Sequence, residues 1–325
     1  MPTAKILLQL DPDPQISVFD SVVAVDSGVD QLFRHGGVSA DQVRDLVYGL
    51  IFTRSLAELK NSAIFIGGSD VSTAETLLKA AVGSFFGPMR VSILFDPNGA
   101  NTTAAAAVLA AGRHHELAGA ETLILAGTGP VGQRAARLLA RQGARVRIAS
   151  RKLEKATSVC ESLKAEVAEG TFLPYAVSDE ASLTAALAGV AVVIAAGAAN
   201  VQLAAASALS QATDLQVLID LNAAPPVGLE GVDPMDKAKQ RDGRICYGAI
   251  GVGGTKMKIH KRALARIFEQ NDLVLNAEEA YEIGRELELG RVVIFGTTAS
   301  SGTIQRKTGR TAEPRSAEQG GPADA

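Results

Sequence analysis

Three glycines in the middle of the chain have the spacing of a phosphate-binding turn. Gly127, Gly129 and Gly132 directly follow the apolar run 123–126, and an amphipathic segment comes next. In this G-x-G-x-x-G pattern the first glycine permits a tight turn, the second lets the backbone approach a pyrophosphate, and the third lets a helix pack on the strand. The helix N-terminus adds unpaired N–H groups and partial positive charge. The pattern predicts a dinucleotide site, whose loop also includes Thr128, Pro130 and Val131; the alternative is a purely structural turn.

The residues after the next predicted strand indicate which dinucleotide binds. In NAD-binding units an acidic residue about 20 positions past the glycines accepts hydrogen bonds from the ribose. Here that place holds Ser150, Arg151 and Lys152, and the first acid is Glu154. A hydroxyl and two cations suit a 2′-phosphate, because arginine pairs with phosphate bidentately and lysine adds a point charge. We therefore predict NADP; the alternative is the solvated start of a helix.

Later strand ends supply the remaining candidate cofactor residues. Asp220 and Asn222 end the last clear strand of the nucleotide domain, near where nicotinamide should lie. Ala196 belongs to a run of small residues that ends the preceding strand, where a flat cofactor has room. The proline pair 225–226 can simply make this turn rigid.

Composition excludes several classes of protein. The 325 residues are 47% hydrophobic and carry a net charge of −3, so no basic field points to nucleic acid or an anionic membrane. Two cysteines without a C-x-x-C motif fit a reducing cytoplasm. The N-terminus does not have the pattern of a signal peptide, and no apolar run approaches the roughly 20 residues of a membrane span. The four histidines lack metal-ligand spacing, so we expect no metal.

Apolar runs alternate with helical periodicity along the chain, which predicts an α/β fold with parallel sheets. We expect strands at 5–10, 31–33, 62–66 and 89–95 and helices at 18–25, 40–53, 73–85 and 101–111. A doubly wound Rossmann domain should span 113–255, with strands at 145–149, 171–176, 191–196 and 216–221. Residues 1–112 should form the substrate domain, to which helices within 256–290 return. Residues 298–325 lack apolar periodicity and are predicted to be disordered.

Several longer strings match one family. They are S-V-F-D at 17–20, A-I-F-I-G-G-S-D at 63–70, D-P-N-G-A-N-T-T at 96–103, D-L-N-A-A-P-P-V-G at 220–228 and Y-G-A-I-G-V-G-G-T-K-M-K-I-H at 247–260. With the glycine loop, they make the chain resemble the NADP-dependent methylene-tetrahydromethanopterin dehydrogenases of C1-metabolising bacteria, over about residues 4–290. The resemblance implies oxidation of a methylene-tetrahydropterin to the methenyl form during formaldehyde oxidation. Some members also accept methylene-tetrahydrofolate.

The implied reaction requires little from protein side chains. The reacting carbon lies between two nitrogens, so loss of hydride leaves a cation that their lone pairs stabilise, and no general base is needed. The enzyme must mainly align this carbon with the nicotinamide ring. Accordingly, the sequence has no G-x-S-x-G motif and no cysteine with an adjacent histidine.

Two candidate catalytic residues lie four positions apart, on one face of a helix. Lys256 follows G-V-G-G-T, which we interpret as a flexible turn lining the cleft. Its cation can orient the pterin carbonyl or a carboxylated tail; the alternative is a surface lysine at a helix start. His260 either contacts the substrate or is a partly buried histidine whose hydrogen bonds are satisfied within the protein.

The other candidates lie in the first third of the chain. Asp20 stands in an apolar segment, where its carboxylate can bind the amino-pyrimidine edge of a pterin or counter the developing cation; it can equally face solvent. Asn98, Asn101 and Thr102 lie where a strand runs into a helix. We expect one of these residues to cap the helix and another to bind substrate, because α/β proteins bind ligands at strand ends.

Two rival functions remain open. The folate dehydrogenase/cyclohydrolases carry a helical Tyr-x-x-x-Lys, whereas Tyr48 is followed by Phe52 at the lysine position. Shikimate dehydrogenases are less similar, because the segment 101–103 lacks their following Pro-x-Lys. The alternative to an enzyme is an NADP-binding sensor without catalytic activity. We also expect a homo-oligomer, whose size the sequence does not decide.

Overall fold

The computed structural model describes residues 3–299, with side chains described as far as residue 290. Residues up to Leu287 form one compact unit, which holds every strand of the two sheets. The segment 298–325, predicted to be disordered, lies outside the described residues except for its first two, which end the last helix. Among residues 3–299, no helix combines the length and apolar character needed to span a bilayer.

The first sheet is wholly parallel and is built from segments at both ends of the compact unit. Its strands are β1 (Ile6–Leu10), β2 (Gln31–His35), β3 (Ser62–Ile66), β4 (Ser92–Phe95) and β12 (Val274–Leu275). They lie in the order β12-β4-β3-β1-β2. The central strands are continuous buried runs, as expected where helices cover both faces of a parallel sheet. The connecting helices are α1 (Val18–Asp26), α2 (Ala40–Ile51) and α3 (Val71–Gly83).

The second sheet has the strand order of a doubly wound nucleotide-binding domain. Its strands are β5 (Glu121–Leu125), β6 (Arg145–Ser150), β7 (Thr171–Ala176), β8 (Val192–Ala195), β9 (Val217–Asp220), β10 (Lys239–Arg241) and β11 (Arg244–Tyr247). They lie in the order β10-β11-β9-β8-β5-β6-β7, and only β10 is antiparallel to its neighbour. The order reverses between β5 and β8, which creates the crevice where such sheets bind dinucleotides. The predicted α/β fold class is confirmed.

The helices of this half follow the same alternation. They are α5 (Pro130–Arg141), α6 (Leu153–Glu166), α7 (Glu180–Leu187) and α8 (Ala206–Gln211). A further helix, α4 (Ala100–Gly112), precedes β5 and is alanine-rich and buried almost all round. It packs against α5 and against α9 (Ala249–Arg266), so its small side chains let three helices approach closely.

The predicted flexible turn before Lys256 is wrong, because these residues lie inside α9. Glycine lowers helix propensity by about 1 kcal/mol relative to alanine, so the sequence pattern favours a turn there. Tertiary packing explains the glycine at position 251, because a Cβ there would collide with the main chain of Asp236. After α9 the chain returns to the first sheet, where β12 pairs with β4, and then forms α10 (Ala277–Ala299). The predicted domain boundaries stay a prediction.

Candidate active site

The glycine loop has the close packing that its sequence predicts. A Cβ built on Gly132 would lie 2.7 Å from both Cα and O of Gly127, so only glycine lets α5 start this close to the end of β5. A Cβ on Gly127 would lie 3.0 Å from the carbonyl oxygen of Ile124. By contrast, the Cβ position of Gly129 is open, with its nearest atom, the carbonyl oxygen of Ala126, 3.8 Å away. The open side is available to a pyrophosphate.

The N-terminus of α5 follows this loop directly. Gly129 is the N-cap residue and Pro130 the first helical residue, and no side chain caps the helix. The side-chain amide of Gln133 donates to the carbonyl of Thr128 at 2.7 Å, which fixes the loop beside the first helical turn. Val131 is half-buried on that turn. The uncapped N–H groups suit an anionic ligand.

The three residues predicted to bind a 2′-phosphate end the neighbouring strand. Ser150 is the last residue of β6, which pairs with β5, and Arg151 and Lys152 lead into α6. Both cationic side chains are exposed, and within the described part of the chain neither has an ion pair or a side-chain hydrogen bond. They are therefore available to an anion near the glycine loop.

The side chains at the end of β9 shape their own loop. The buried carboxylate of Asp220 accepts the N–H groups of Asn222 at 3.0 Å and Leu229 at 2.8 Å, and burial raises its pKa. The side chain of Asn222 bonds the main chain of Ala224 and Pro226 in turn. These contacts satisfy polar atoms of Asp220 and Asn222 without a cofactor, and the predicted cofactor role of both residues stays a prediction.

Ala196 lies at the switch point of the second sheet. Its N–H donates to the carbonyl of Leu125 at 3.0 Å, which continues the pairing of β8 with β5. It therefore stands beside the start of the glycine loop, where a small side chain leaves room.

Four of the predicted catalytic residues line one cavity of about 380 Å³. Asp20 comes from α1, Asn98 from the turn after β4, and Lys256 and His260 from successive turns of α9. Thr102 does not line it. The other lining residues come mainly from the loops after β1 and β3: Asp11, Asp13, Gln15, Ser17, Phe19, Gly68, Ser69 and Gly99.

Lys256 packs against the turn that follows β4. Asn98 and Gly99 both have left-handed backbone conformations, with φ of 53° and 59°, and the N–H of Asn98 donates to the carbonyl of Gly68. A Cβ on Gly99 would collide with Nζ of Lys256, so glycine is needed there. Within the described residues, the ammonium has no hydrogen bond or ion pair. It is a cation available to a ligand in the cavity.

His260 is buried between two carboxylates. Its Nδ1 lies 3.5 Å from Oδ2 of Asp96 and its Nε2 lies 4.0 Å from Oδ1 of Asp20. Neither nitrogen has a hydrogen-bond partner within the described part of the chain. The rings of Phe65 and Phe19 flank the imidazole, with centroids 5.8 Å and 6.5 Å away. These contacts give no hydrogen bond that would support the alternative of a histidine satisfied within the protein, and the substrate role of His260 stays a prediction.

Burial raises the pKa of Asp20. Three neighbours oppose this effect: first a hydrogen bond with Ser17, then the electrostatic influence of the nearby His260 ring and the Lys256 ammonium. Burial also raises the pKa of Asp11. The cavity thus combines carboxyl groups that resist ionisation with one available cation.

The expectation that Asn101 or Thr102 caps α4 is wrong, because the acceptor is Asp96. Its Oδ1 accepts the N–H groups of Asn101 at 2.9 Å and Thr102 at 3.1 Å. The hydroxyl of Thr102 donates to Oδ2 of the same carboxylate at 2.6 Å. Because α4 begins at Ala100, Asn101 and Thr102 lie in its first turn. Their N–H groups therefore need an acceptor, and neither residue stands at the N-cap position.

Sequence reasoning missed three aspartates. Asp96 is the first residue after β4, and Asp11 and Asp13 follow β1. Asp13 accepts hydrogen bonds from the N–H and the hydroxyl of Ser69, which joins the loops after β1 and β3. The signal that could have identified them is their position, because polar residues at the ends of parallel strands meet at one edge of the sheet.

Comparison with known proteins identifies the family. Residues 18–98 match the family described as "Methylene-tetrahydromethanopterin dehydrogenase, N-terminal", and residues 108–237 match "Shikimate / quinate 5-dehydrogenase". The chain is 40% identical over 287 residues to "Bifunctional protein MdtA" of Methylorubrum extorquens, covering 87% of this chain and 99% of that protein. It is 30% identical over 298 residues to the "NAD(P)-dependent methylenetetrahydromethanopterin dehydrogenase" of the same organism, covering 87% and 98%.

A solved structure shares the fold at much lower identity. Shikimate 5-dehydrogenase from Listeria monocytogenes, in complex with shikimate and NAD, matches with a TM-score of 0.50 and 14% identity over 88% of this chain and 97% of that one. This likeness concerns the fold alone. The two full-length relatives decide the family: the chain belongs to the methylene-tetrahydromethanopterin dehydrogenases.

Proposed function

We propose that this protein transfers a hydride from methylene-tetrahydromethanopterin to NADP, giving the methenyl form, in one-carbon metabolism. The observation that carries the proposal is the cavity in which Lys256, His260 and Asp20 meet, in a chain of this family that also has a G-x-G-x-x-G loop. The resemblance of the motifs to this family and the names of its relatives support the same reaction.

The residues of the cavity have the chemistry to hold a reduced pterin. The ammonium of Lys256 is free to donate to a pterin carbonyl or pair with a carboxylate, and Asp20 offers an acceptor to an amino-pyrimidine edge. The buried nitrogens of His260 need a partner that the described residues do not supply. Fixing the reacting carbon in line with its acceptor can lower the barrier by several kcal/mol.

The residues near the glycine loop suit NADP, which when bound supplies the hydride-accepting nicotinamide. The open backbone at Gly129 and the uncapped start of α5 would hold the pyrophosphate. Arg151 and Lys152 would hold the 2′-phosphate, because both are exposed cations without ion pairs in the described residues. The resulting preference is for NADP over NAD.

We further propose a cytoplasmic homo-oligomer. Free, buried thiols at Cys160 and Cys246 fit a reducing compartment. Val18, Val22 and Val25 lie at spacings of one helical turn on α1 and are each more than half exposed. An apolar face of this kind is typical of a surface that another chain covers.

The test is a spectrophotometric assay with methylene-tetrahydromethanopterin or methylene-tetrahydrofolate and with NADP or NAD. We expect turnover, with NADP preferred and the methanopterin substrate used. Absence of turnover with both pterins would refute the proposal and favour a silent NADP-binding sensor. Turnover with the folate substrate alone would reassign the substrate.

A variant pair then tests the placement of Lys256. Lys256→Ala should raise the pterin KM or lower kcat while leaving NADP affinity near wild type, because the ammonium lies in the cavity with Asp20 and His260. Lys79→Ala, which removes an exposed lysine from α3, is the matched control and should change neither. Lost NADP affinity with intact pterin parameters would assign Lys256 to the cofactor.

A further inference from the structure

Asp96 is a fully buried carboxylate near the cavity. Its side chain has no exposed surface, and it accepts the N–H groups of Asn101 and Thr102 and the hydroxyl of Thr102. A carboxylate that receives three donors acts as an acceptor only. Any further group that approaches it must therefore donate.

The further group that approaches is the imidazole of His260. Its Nδ1 lies 3.5 Å from Oδ2 of Asp96, and its side chain is 2% exposed. This contact does not meet hydrogen-bond geometry, but a carboxylate at this distance favours a proton on the nitrogen that faces it, and hence the Nδ1–H tautomer. Nε2 is then the nitrogen on the side of Asp20, which lines the cavity with His260.

A second chain of contacts holds Asp96 in place. The side-chain amide of Asn101 donates to the carbonyl of Phe95, and its oxygen accepts from Nε of Arg134 on α5. Arg134 also donates to the carbonyl of Pro130 at 3.2 Å and to Glu75 at 3.2 Å. The segment that carries Asp96 is thus tied to the first turn of the helix after the glycine loop.

We propose that Asp96 is a positioning residue for the pterin reaction: it holds His260 with Nδ1 protonated and Nε2 presented to the substrate. Thr102 acts one step further away, by fixing the Asp96 oxygen that faces His260. This inference rests on the proposed function for its catalytic consequence, whereas the tautomer of His260 is a property of the protein alone.

The test begins with Asp96→Asn. Its amide oxygen still accepts the two N–H groups of α4, but its NH2 group donates toward His260, so the proton should move from Nδ1 to Nε2. Two-bond proton–nitrogen NMR spectra report the tautomer, and His260→Gln assigns the signals among the four histidines. We expect kcat to fall on the order of 10- to 100-fold, as for a misplaced reacting group, with NADP affinity within about twofold of wild type.

The matched control is Asp179→Asn. Asp179 caps α7 by accepting the N–H of Ser182. It belongs to the part of the chain that forms the second sheet and does not line the cavity, so we expect wild-type kcat and an unchanged His260 spectrum. An Asp96→Asn variant that keeps the Nδ1–H tautomer, or keeps wild-type kcat, would overturn the inference.

A second pair of variants keeps the test decisive if Asp96→Asn does not fold. Thr102→Ser retains the hydroxyl donor and should keep kcat near wild type, whereas Thr102→Val removes it and should lower kcat several-fold without changing NADP affinity. Equal kcat for the two would overturn the inference. If wild-type protein oxidises no pterin, the proposed function fails, but the tautomer experiment still decides whether Asp96 sets the state of His260.

Discussion

One added methyl group should affect different properties at two glycines of the loop: folding stability at Gly132 and NADP affinity at Gly129. In Gly132→Ala the new Cβ would lie 2.7 to 2.8 Å from three main-chain atoms of Gly127, about 1 Å inside ordinary carbon contact distance. Backbone cannot rotate away as a side chain does, so α5 or the loop must shift. Overpacking costs about 1–3 kcal/mol, and the gain in helix propensity offsets up to about 1 kcal/mol. We expect a net loss of about 1–2 kcal/mol.

In Gly129→Ala the methyl group meets no atom closer than 3.8 Å, and φ of −78° is open to any residue. Alanine is a poorer N-cap than glycine, so we expect a loss of stability under about 1 kcal/mol. The methyl nevertheless occupies the open side of the loop. Losing one or more charge-assisted phosphate contacts should weaken NADP binding by about 1.5–3 kcal/mol, or roughly 10- to 150-fold.

Thermal unfolding without ligand and calorimetric titration with NADP separate the two effects. Gly132→Ala should lower Tm by about 2–6 °C, while Gly129→Ala should lower Tm by less than Gly132→Ala does and lose NADP affinity. Gly49→Ala is the control, since no atom lies within 4 Å of its Cβ position on α2; it should gain about 0.5–1 kcal/mol and bind NADP normally. Wild-type NADP affinity in Gly129→Ala, or an unchanged Tm in Gly132→Ala, would refute this reading of the loop.

Three further predictions concern other parts of the molecule. Arg151→Ala should weaken NADP binding by about 1.5–3 kcal/mol and leave NAD binding nearly unchanged in parallel titrations, because only NADP carries the 2′-phosphate; equal losses would make Arg151 structural. The protein should not hydrolyse the methenyl product, because Phe52 stands where the cyclohydrolases have lysine; decay of methenyl absorbance above the buffer rate would contradict this. Burial raises the pKa of the Cys246 thiol from 9.0 to about 11, so the folded state disfavours the thiolate. Its contribution to stability is complete below pH 9 and is lost as the pH rises through 11, by at most roughly 3 kcal/mol. Chemical denaturation at pH 8 and pH 11 should therefore show a smaller pH dependence in Cys246→Ala, and an equal dependence would refute the assignment.

Features encoded by neighbouring residues were predictable from the sequence. The glycine loop, its strand and its helix are local, so spacing alone identified Gly127, Gly129 and Gly132 and the mechanical task of each. The helices and the first four strands of the first sheet were likewise predicted to within a few residues, because their apolar periods are strong; β12, which has only two residues, was not predicted. The longer motifs also led to the correct family.

Tertiary packing decided the arrangement that local patterns could not express. The glycines before Lys256 suggest a turn, yet they lie inside α9, where the close approach of the Asp236 main chain requires glycine at position 251. Only the tertiary structure shows that the carboxylate of Asp220 accepts two N–H groups from the loop that follows β9; its cofactor role stays a prediction.

The same distinction applies inside the cavity. Asp20 and His260 are 240 positions apart, and only the packing of α1 and α9 beside the end of β4 brings Asp20 and Asp96 to either side of the His260 imidazole. Asp96 has no feature in sequence that separates it from other aspartates after strands. Complete burial gives it a distinct role, because a carboxylate without water must take its donors from the protein. Here the donors are the N–H groups of Asn101 and Thr102 and the hydroxyl of Thr102.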